Sequence, residues 1–286
     1  MVSPAPLEAA QDRTGILDRV LAIIELLATN AMGLPLHAVA EQLNIPRSAA
    51  HRLLNDLIAR GYVRQEGDRG VYMLTAKLVS VSFNYLSGSG VVDLAQPVLD
   101  RLAQATEELV RLSLVDGDRL TFVAKAQGAR SGLRYDPDMG KEAILFCTAS
   151  GIAWLSCLGD DQALSLIRKQ RARLQDAVGP NAPRSNEEIL DYLRLARQRG
   201  YSLTIETFTA GMAAIAAPVR RWNTGEVKGV ISVAGPHVRL TELRLHEIAP
   251  RLLAAAAELS ATHLGAPTFH RLRRGQDGDI FVGAAH

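Results

Sequence analysis

The chain has 286 residues, 48% of them hydrophobic, and a formal net charge of +2 from 32 basic against 30 acidic side chains. That length suits two domains with ample core, and the near balance excludes a protein that grips polyanions through global charge alone. The two cysteines, Cys147 and Cys157, come without a CxxC or Cys/His cluster, which excludes a disulfide scaffold and a zinc site; no cofactor is implied. The start, MVSPAPLEAAQDRTG, lacks a charged segment followed by an apolar core, so no signal peptide is expected. No run of eighteen apolar residues predicts a membrane span, and the expected compartment is the cytoplasm.

In chain order, residues 1–13 read as a loose arm. Ile16 to Ala28, ILDRVLAIIELLA, is a helix apolar enough to predict burial on more than one side. Leu36, Val39, Ala40 and Leu43 then repeat at helical spacing. Asn44-Ile45-Pro46 is a turn, with Pro46 suited to opening a new helix. In that next helix Ala50, Leu53, Leu54, Leu57 and Ile58 form the buried stripe, while Arg47, Ser48, His51, Arg52 and Asn55 fall on the other side, and Gly61 caps the end. Tyr62 to Arg64 and Val71 to Leu74 read as two short strands around a turn-rich wing, Glu66 to Gly70, that includes Arg69.

Helix, turn, helix and hairpin in this order are the plan of a winged helix-turn-helix, whose second helix sets its first residues on base edges and phosphates of the major groove. The missing global charge is found locally. From Asn44 to Arg64 the charges are Arg47, Arg52, Arg60 and Arg64 against Asp56 alone. Affinity would rest on this patch, duplicated in a dimer.

Thr75 to Ser87 predicts a linking helix ended by Gly88-Ser89-Gly90. Its Leu78, Val81, Phe83 and Leu86 call for a partner surface. Beyond it, a helix over Val92 to Leu109 precedes strands at Arg111–Val115 and Leu120–Ala124, joined by the hairpin signal Asp116-Gly117-Asp118. Helices are predicted over Thr148–Leu158 and Asp161–Arg171. Ser185 to Glu188 form a capping box for a helix ending at Gly200, and strands follow at Ala213–Val219 and Val227–Ala234. Thr241 caps a long last helix that Pro250 is expected to kink. Strand pairs mixed with helices, without regular βαβ alternation, predict an α+β domain with an antiparallel sheet. The expected division is 14–75 for the winged helix-turn-helix, 76–90 for the linker, 91–265 for the α+β domain, and 266–286 for a mobile tail.

The segments DRVLAIIELL, IPRSAAHRLLNDLIARGYVRQ, MGKEAILFCTASGIAWLS and GMAAIAAPVRRWNTGEVKGVISVAGPHVRLT together resemble the IclR family of bacterial transcription regulators. The resemblance runs from about Thr14 to Gly265. It implies a GAF-like effector-binding domain, control of operator binding by a small molecule, and assembly as a homodimer or dimer of dimers on pseudo-palindromic double-stranded DNA. Arg47, Ser48, Ala49, His51 and Arg52 match the family's recognition helix; Asn55, Arg64 and Arg69 extend that DNA-binding set.

For the effector pocket the matches are Gly140, Leu145, Thr148, Ala149, Ser150 and Gly151, then Glu206, Ala214 and Ser232, with Met139, Ile144, Phe146 and Ile231 as apolar walls. Ile144, Phe146 and Ile152 stand where the family usually has proline, histidine and lysine, so an aromatic or longer-chain carboxylic acid is the expected effector. Thr148 to Gly151 would form a helix N-terminus suited to a carboxylate; the same residues also read as ordinary caps. Glu206 would repel a carboxylate unless protonated or accepting a hydrogen bond from the ligand.

The leading expectation is a ligand-responsive regulator, a repressor and not an enzyme. The rival is an enzyme acting on a small organic acid with an appended winged helix. No GxSxG, P-loop, HExxH or Rossmann fingerprint supports it. Its one candidate nucleophile, Cys147, flanked by Phe146 and Thr148, reads more usually as core.

Overall fold

The computed structural model describes residues 15–67, 70–89, 91–137, 139–172 and 178–262. The arm at 1–13, Arg69 in the wing and the tail at 266–286 lie outside the described residues. The chain divides into two compact units, residues 1–85 and 86–286.

The first unit contains helices α1 (Ile16–Ala28), α2 (Leu36–Gln42) and α3 (Arg47–Ala59), then the hairpin β1 (Val63–Gln65) and β2 (Tyr72–Leu74). Helix α4 (Ala76–Ser89) runs across the division between the units. Ile23 and Leu27 from α1 and Val39 from α2 pack with Leu53, Leu54 and Leu57 from α3 and with Val63 and Tyr72 of the hairpin. Hydrogen bonds in both directions between Leu34 and Tyr72 tie the segment before α2 to the wing through a single antiparallel bridge. Helix α1 departs from expectation. It buries one stripe, and Ile16 and Leu17 stay 66% and 69% exposed, because Val20, Ile23, Ile24 and Leu27 already supply the single face that this core covers. In α4, Val81 is exposed and Leu78 half-buried.

The second unit is built on a five-stranded antiparallel sheet in the order β4-β3-β7-β6-β5. Its strands are β3 (Leu109–Asp116), β4 (Arg119–Gln127), β5 (Ser202–Ile205), β6 (Met212–Arg220) and β7 (Val227–Pro236). Helices α5 (Val91–Thr106) and α9 (Glu242–Ala261) cover one face. Helices α6 (Ala149–Leu155), α7 (Asp160–Arg171) and α8 (Asn186–Arg199) cover the other. Strand β5, absent from the predicted elements, is a four-residue edge strand. Leu109 opens β3 instead of closing α5. Helix α9 continues through Pro250 to Ala261, with the Thr241 hydroxyl capping its first turn at 3.3 Å from Arg244 N.

Because strand side chains alternate between faces, β7 sends Ile231 and Val233 toward α5 and α9, and Val230 toward α6. A bulge alters the same rule in β4. Leu112 pairs with Ala124 but Ser113 pairs with Phe122, leaving Val123 as the extra residue. Ala124 and Ala126 therefore join the α5/α9 core while Leu120 and Phe122 turn to the α6 side, as bulges re-aim side chains.

Candidate nucleic-acid interface and ligand cavity

Helix α3 separates its faces cleanly. Ala50, Leu53, Leu54 and Leu57 are buried, whereas Arg47, Ser48, His51, Arg52 and Asn55 are exposed and Ala49 is half-buried. Asn44 takes the left-handed conformation that the turn requires, with φ of 48°, and Ile45 N closes the turn on Ala40 O at 3.0 Å. At the far end Gly61, with φ of 76°, lets Tyr62 N reach back to Leu57 O at 2.9 Å. His51 and Asn55, one turn apart, place a ring nitrogen and the amide nitrogen 3.4 Å from each other. Arg60 and Arg64 are exposed beyond the helix, with Arg64 opposite Met73 in the wing hairpin. The structure thus brings Arg47, Ser48, His51, Arg52 and Asn55 to one open helix face, with the donors that phosphate and base-edge contacts use.

In the second unit a cavity lies between the start of α6 and the sheet. Thr148, Ala149, Ser150, Ala214 and Ser232 line it, together with Arg111, Tyr135, Thr204, Phe208 and Met212. A neighbouring recess shares Arg111, Thr148 and Phe208 and adds Phe122 and Ile144 together with the charged Asp136, Lys141 and Glu142. Long-range hydrogen bonds hold the α6 side in place. The buried Gln170 side chain accepts from Leu145 N at 2.7 Å and donates to Ala143 O at 2.8 Å. Ser202 Oγ donates to Ala149 O at 2.6 Å, and the Thr207 hydroxyl donates to Cys147 O.

The remaining candidates lie elsewhere. Ile231 points to the opposite face of the sheet, since it is one residue out of phase with Ser232. Phe146 is buried in the α6 core beneath the Arg171 guanidinium, 4.2 Å from its ring centroid. Met139 packs against that core from its edge, and Gly140 turns the chain with φ of 79° and donates to Phe122 O. Gly151 is packed so tightly that a Cβ there would meet Leu145 O at 2.3 Å. Glu206 turns its carboxylate onto Gly211 N at 2.6 Å, closing the β5–β6 turn. The apolar walls are instead Phe208, Met212 and Tyr135.

Thr148 is the N-cap of α6. Its hydroxyl accepts from Gly151 N at 3.1 Å and donates to Ile144 O at 2.8 Å, so it is already engaged in both directions. Cys147 is fully buried, and burial pushes its thiol up to about 12; a thiol held protonated is no nucleophile.

Sequence reasoning passed over Arg111, the one charged residue lining this cavity. It sits in β3 opposite Ser232 of β7, 9% exposed. Its guanidinium stacks over the Phe122 ring at 3.7 Å and lies 5.8 Å from that of Tyr135. Among the described residues neither Arg111 Nε nor Ser232 Oγ has a hydrogen-bond partner. Burial lowers the Arg111 pKa, as desolvation does to any cation. The signal for it was an arginine inside the apolar run LVRLSLV, since arginine is almost never fully buried without a partner.

Among the described residues no helix is long and apolar enough to cross a membrane. Comparison with known proteins matches residues 16–67 to the IclR helix-turn-helix domain and residues 83–261 to the bacterial transcriptional regulator IclR C-terminal domain. The chain is 31% identical over 253 residues to the HTH-type transcriptional regulator BhcR of Paracoccus denitrificans, covering 88% of each chain. Its fold is similar to that of an IclR transcriptional regulator from Alicyclobacillus acidocaldarius, with a TM-score of 0.74 at 20% identity, over 87% of this chain and 98% of that one. It is also similar to an IclR homologue complexed with 4-hydroxybenzoate from Microbacterium hydrocarbonoxydans, with a TM-score of 0.69 at 20% identity, over 90% and 100% of the two chains. The first of the two matched domains is a helix-turn-helix and the second is that of a bacterial transcriptional regulator. With both of its units matched, the chain belongs to the IclR family of bacterial transcription regulators.

Proposed function

We propose that this regulator reads a pseudo-palindromic operator with paired copies of α3, as a homodimer or dimer of dimers in the cytoplasm, and that a small organic acid in the cavity beside α6 adjusts its affinity for DNA. The observation that carries the DNA reading is the open face of α3, where Arg47, Ser48, His51, Arg52 and Asn55 stand exposed above a buried leucine stripe. Arg64 and the wing residue Arg69 belong to the phosphate-contacting set. Two copies of the cluster from Arg47 to Arg64 supply the local positive charge that the whole chain lacks. The domain division at residues 75 and 90 is part of the same reading.

The relative bound to 4-hydroxybenzoate supports an organic acid as effector. Relatives named acetate operon repressor and transcriptional repressor IclR support repression. Control requires the acid to bind the DNA-bound and free forms with different affinity. Titrating duplexes from the protein's own promoter neighbourhood, with and without acid, tests this. Preference for one duplex over random DNA, altered by an acid, is expected; equal binding to both duplexes contradicts it.

A further inference from the structure

We propose that Arg111, with Ser232 opposite it, is the carboxylate receptor of the cavity, and that the effector is a small monocarboxylate held from the sheet rather than from the N-terminus of α6. This rests on the organic-acid reading above and names the group that would recognise the acid.

A guanidinium stays protonated in proteins, and an unpaired buried charge is strongly unfavourable unless something compensates it. Arg111 is buried, Phe122 covers one side of it, and no ion pair or hydrogen bond engages it among the described residues. Ser232 buries a hydroxyl in the same condition, and the two are register partners. A planar carboxylate fits the fork of a guanidinium through two parallel hydrogen bonds. The same oxygens can accept from the Ser232 hydroxyl.

At the alternative receptor, the N-terminus of α6, the Thr148 side chain is already engaged. Thr148 already caps Gly151 N and donates to Ile144 O, and α6 spans only seven residues. The cavity holds one cation and no anion, its other lining residues being neutral. One charge on the ligand is therefore matched. A second carboxylate would meet threonine hydroxyls, Phe208 and Met212. The cavity is small and adjoins the recess that shares Arg111, Thr148 and Phe208 with it, and the flat walls of Phe208 and Tyr135 suit a ring.

The test measures thermal shifts and calorimetric affinities of the full-length protein for benzoate, 4-hydroxybenzoate, hexanoate, pyruvate, succinate and benzamide. It compares wild type with Arg111→Met, Arg111→Lys and Ser232→Ala. At least one monocarboxylate is expected to raise the wild-type melting temperature by mass action, with benzamide and succinate inert. Arg111→Met should weaken that acid at least tenfold, with Arg111→Lys and Ser232→Ala between it and wild type. If Arg111→Met fails to fold, Arg111→Lys, which keeps the charge and loses the fork, carries the test. An acid bound equally well by wild type and the Arg111 variants overturns the receptor assignment and leaves the organic-acid reading standing. If no acid stabilises a wild-type protein that still binds its operator, the organic-acid reading fails, and this assignment with it.

Discussion

Arg111 and Ser232 face each other across β3 and β7, and each buries a polar atom without a hydrogen-bond partner among the described residues. Buried polar groups in native proteins are nearly always satisfied, and these two adjacent unpartnered atoms on a cavity wall are what the proposed carboxylate receptor is built on. The β4 bulge contributes by turning Phe122 beneath the guanidinium, 3.7 Å from its ring centroid.

On the DNA side, Arg52 stands exposed on the open face of α3. An arginine that pairs bidentately with guanine supplies about 1 to 3 kcal/mol of discrimination. Arg52→Ala is expected to lose that much specific affinity while binding to random duplex falls less, as fluorescence anisotropy at fixed salt would show. Arg64→Ala should weaken both duplexes alike and flatten the salt dependence by roughly one unit of slope.

Thr148→Ala removes the cap of α6 and should lower stability by about 0.5 to 2 kcal/mol in denaturant titration. Thr148→Ser keeps a hydroxyl for Gly151 N and should recover most of the loss. Equal losses in the two variants would show that the methyl group, not the cap, matters.

Gly151→Ala should be costlier than its size suggests. A Cβ would stand 2.3 Å from Leu145 O and 2.5 Å from Leu145 Cα, and α6 would have to move away from the segment that Gln170 pins. Overpacking of this kind costs about 1 to 3 kcal/mol. A melting temperature equal to that of wild type would contradict so close a packing.

Cys147 gives a prediction with a definite sign. Its folded-state pKa, about 12, lies above the ordinary value of 9.0, so the folded state holds its proton more tightly than the unfolded state. The associated stability is fully present below pH 9 and is lost as pH rises from about 9 to about 12, by at most about 1.4 kcal/mol per pH unit. Cys147→Ala should remove that part of the alkaline slope. Iodoacetamide on the native protein should label Cys157 and spare Cys147; rapid labelling of Cys147 would contradict its burial.

The α3 face was legible because it is local: an apolar period of 3.6 and its polar complement lie within thirteen residues. Strand β5 was not, because SLTI is four residues long and sits at the sheet edge. The effector side was legible only in part. Thr148 to Ser150 and Ser232 do line the cavity, but Ile231 and Phe146 were placed by chain proximity, which says nothing about which face of a strand or helix turns inward. Arg111 needed more still. Its meaning comes from a partner 121 positions away in β7 and from a bulge that re-aims Phe122, and no window of sequence contains either.

The central claim is that an acid held by Arg111 controls what α3 does on DNA. Its most direct test is the operator dissociation constant of wild type and Arg111→Met, each measured with and without a monocarboxylate at about twice its wild-type dissociation constant. A change of roughly fivefold or more is expected in wild type, and a clearly smaller one in Arg111→Met. An acid that binds wild type yet leaves its operator affinity unchanged, or that shifts both proteins equally, would contradict it.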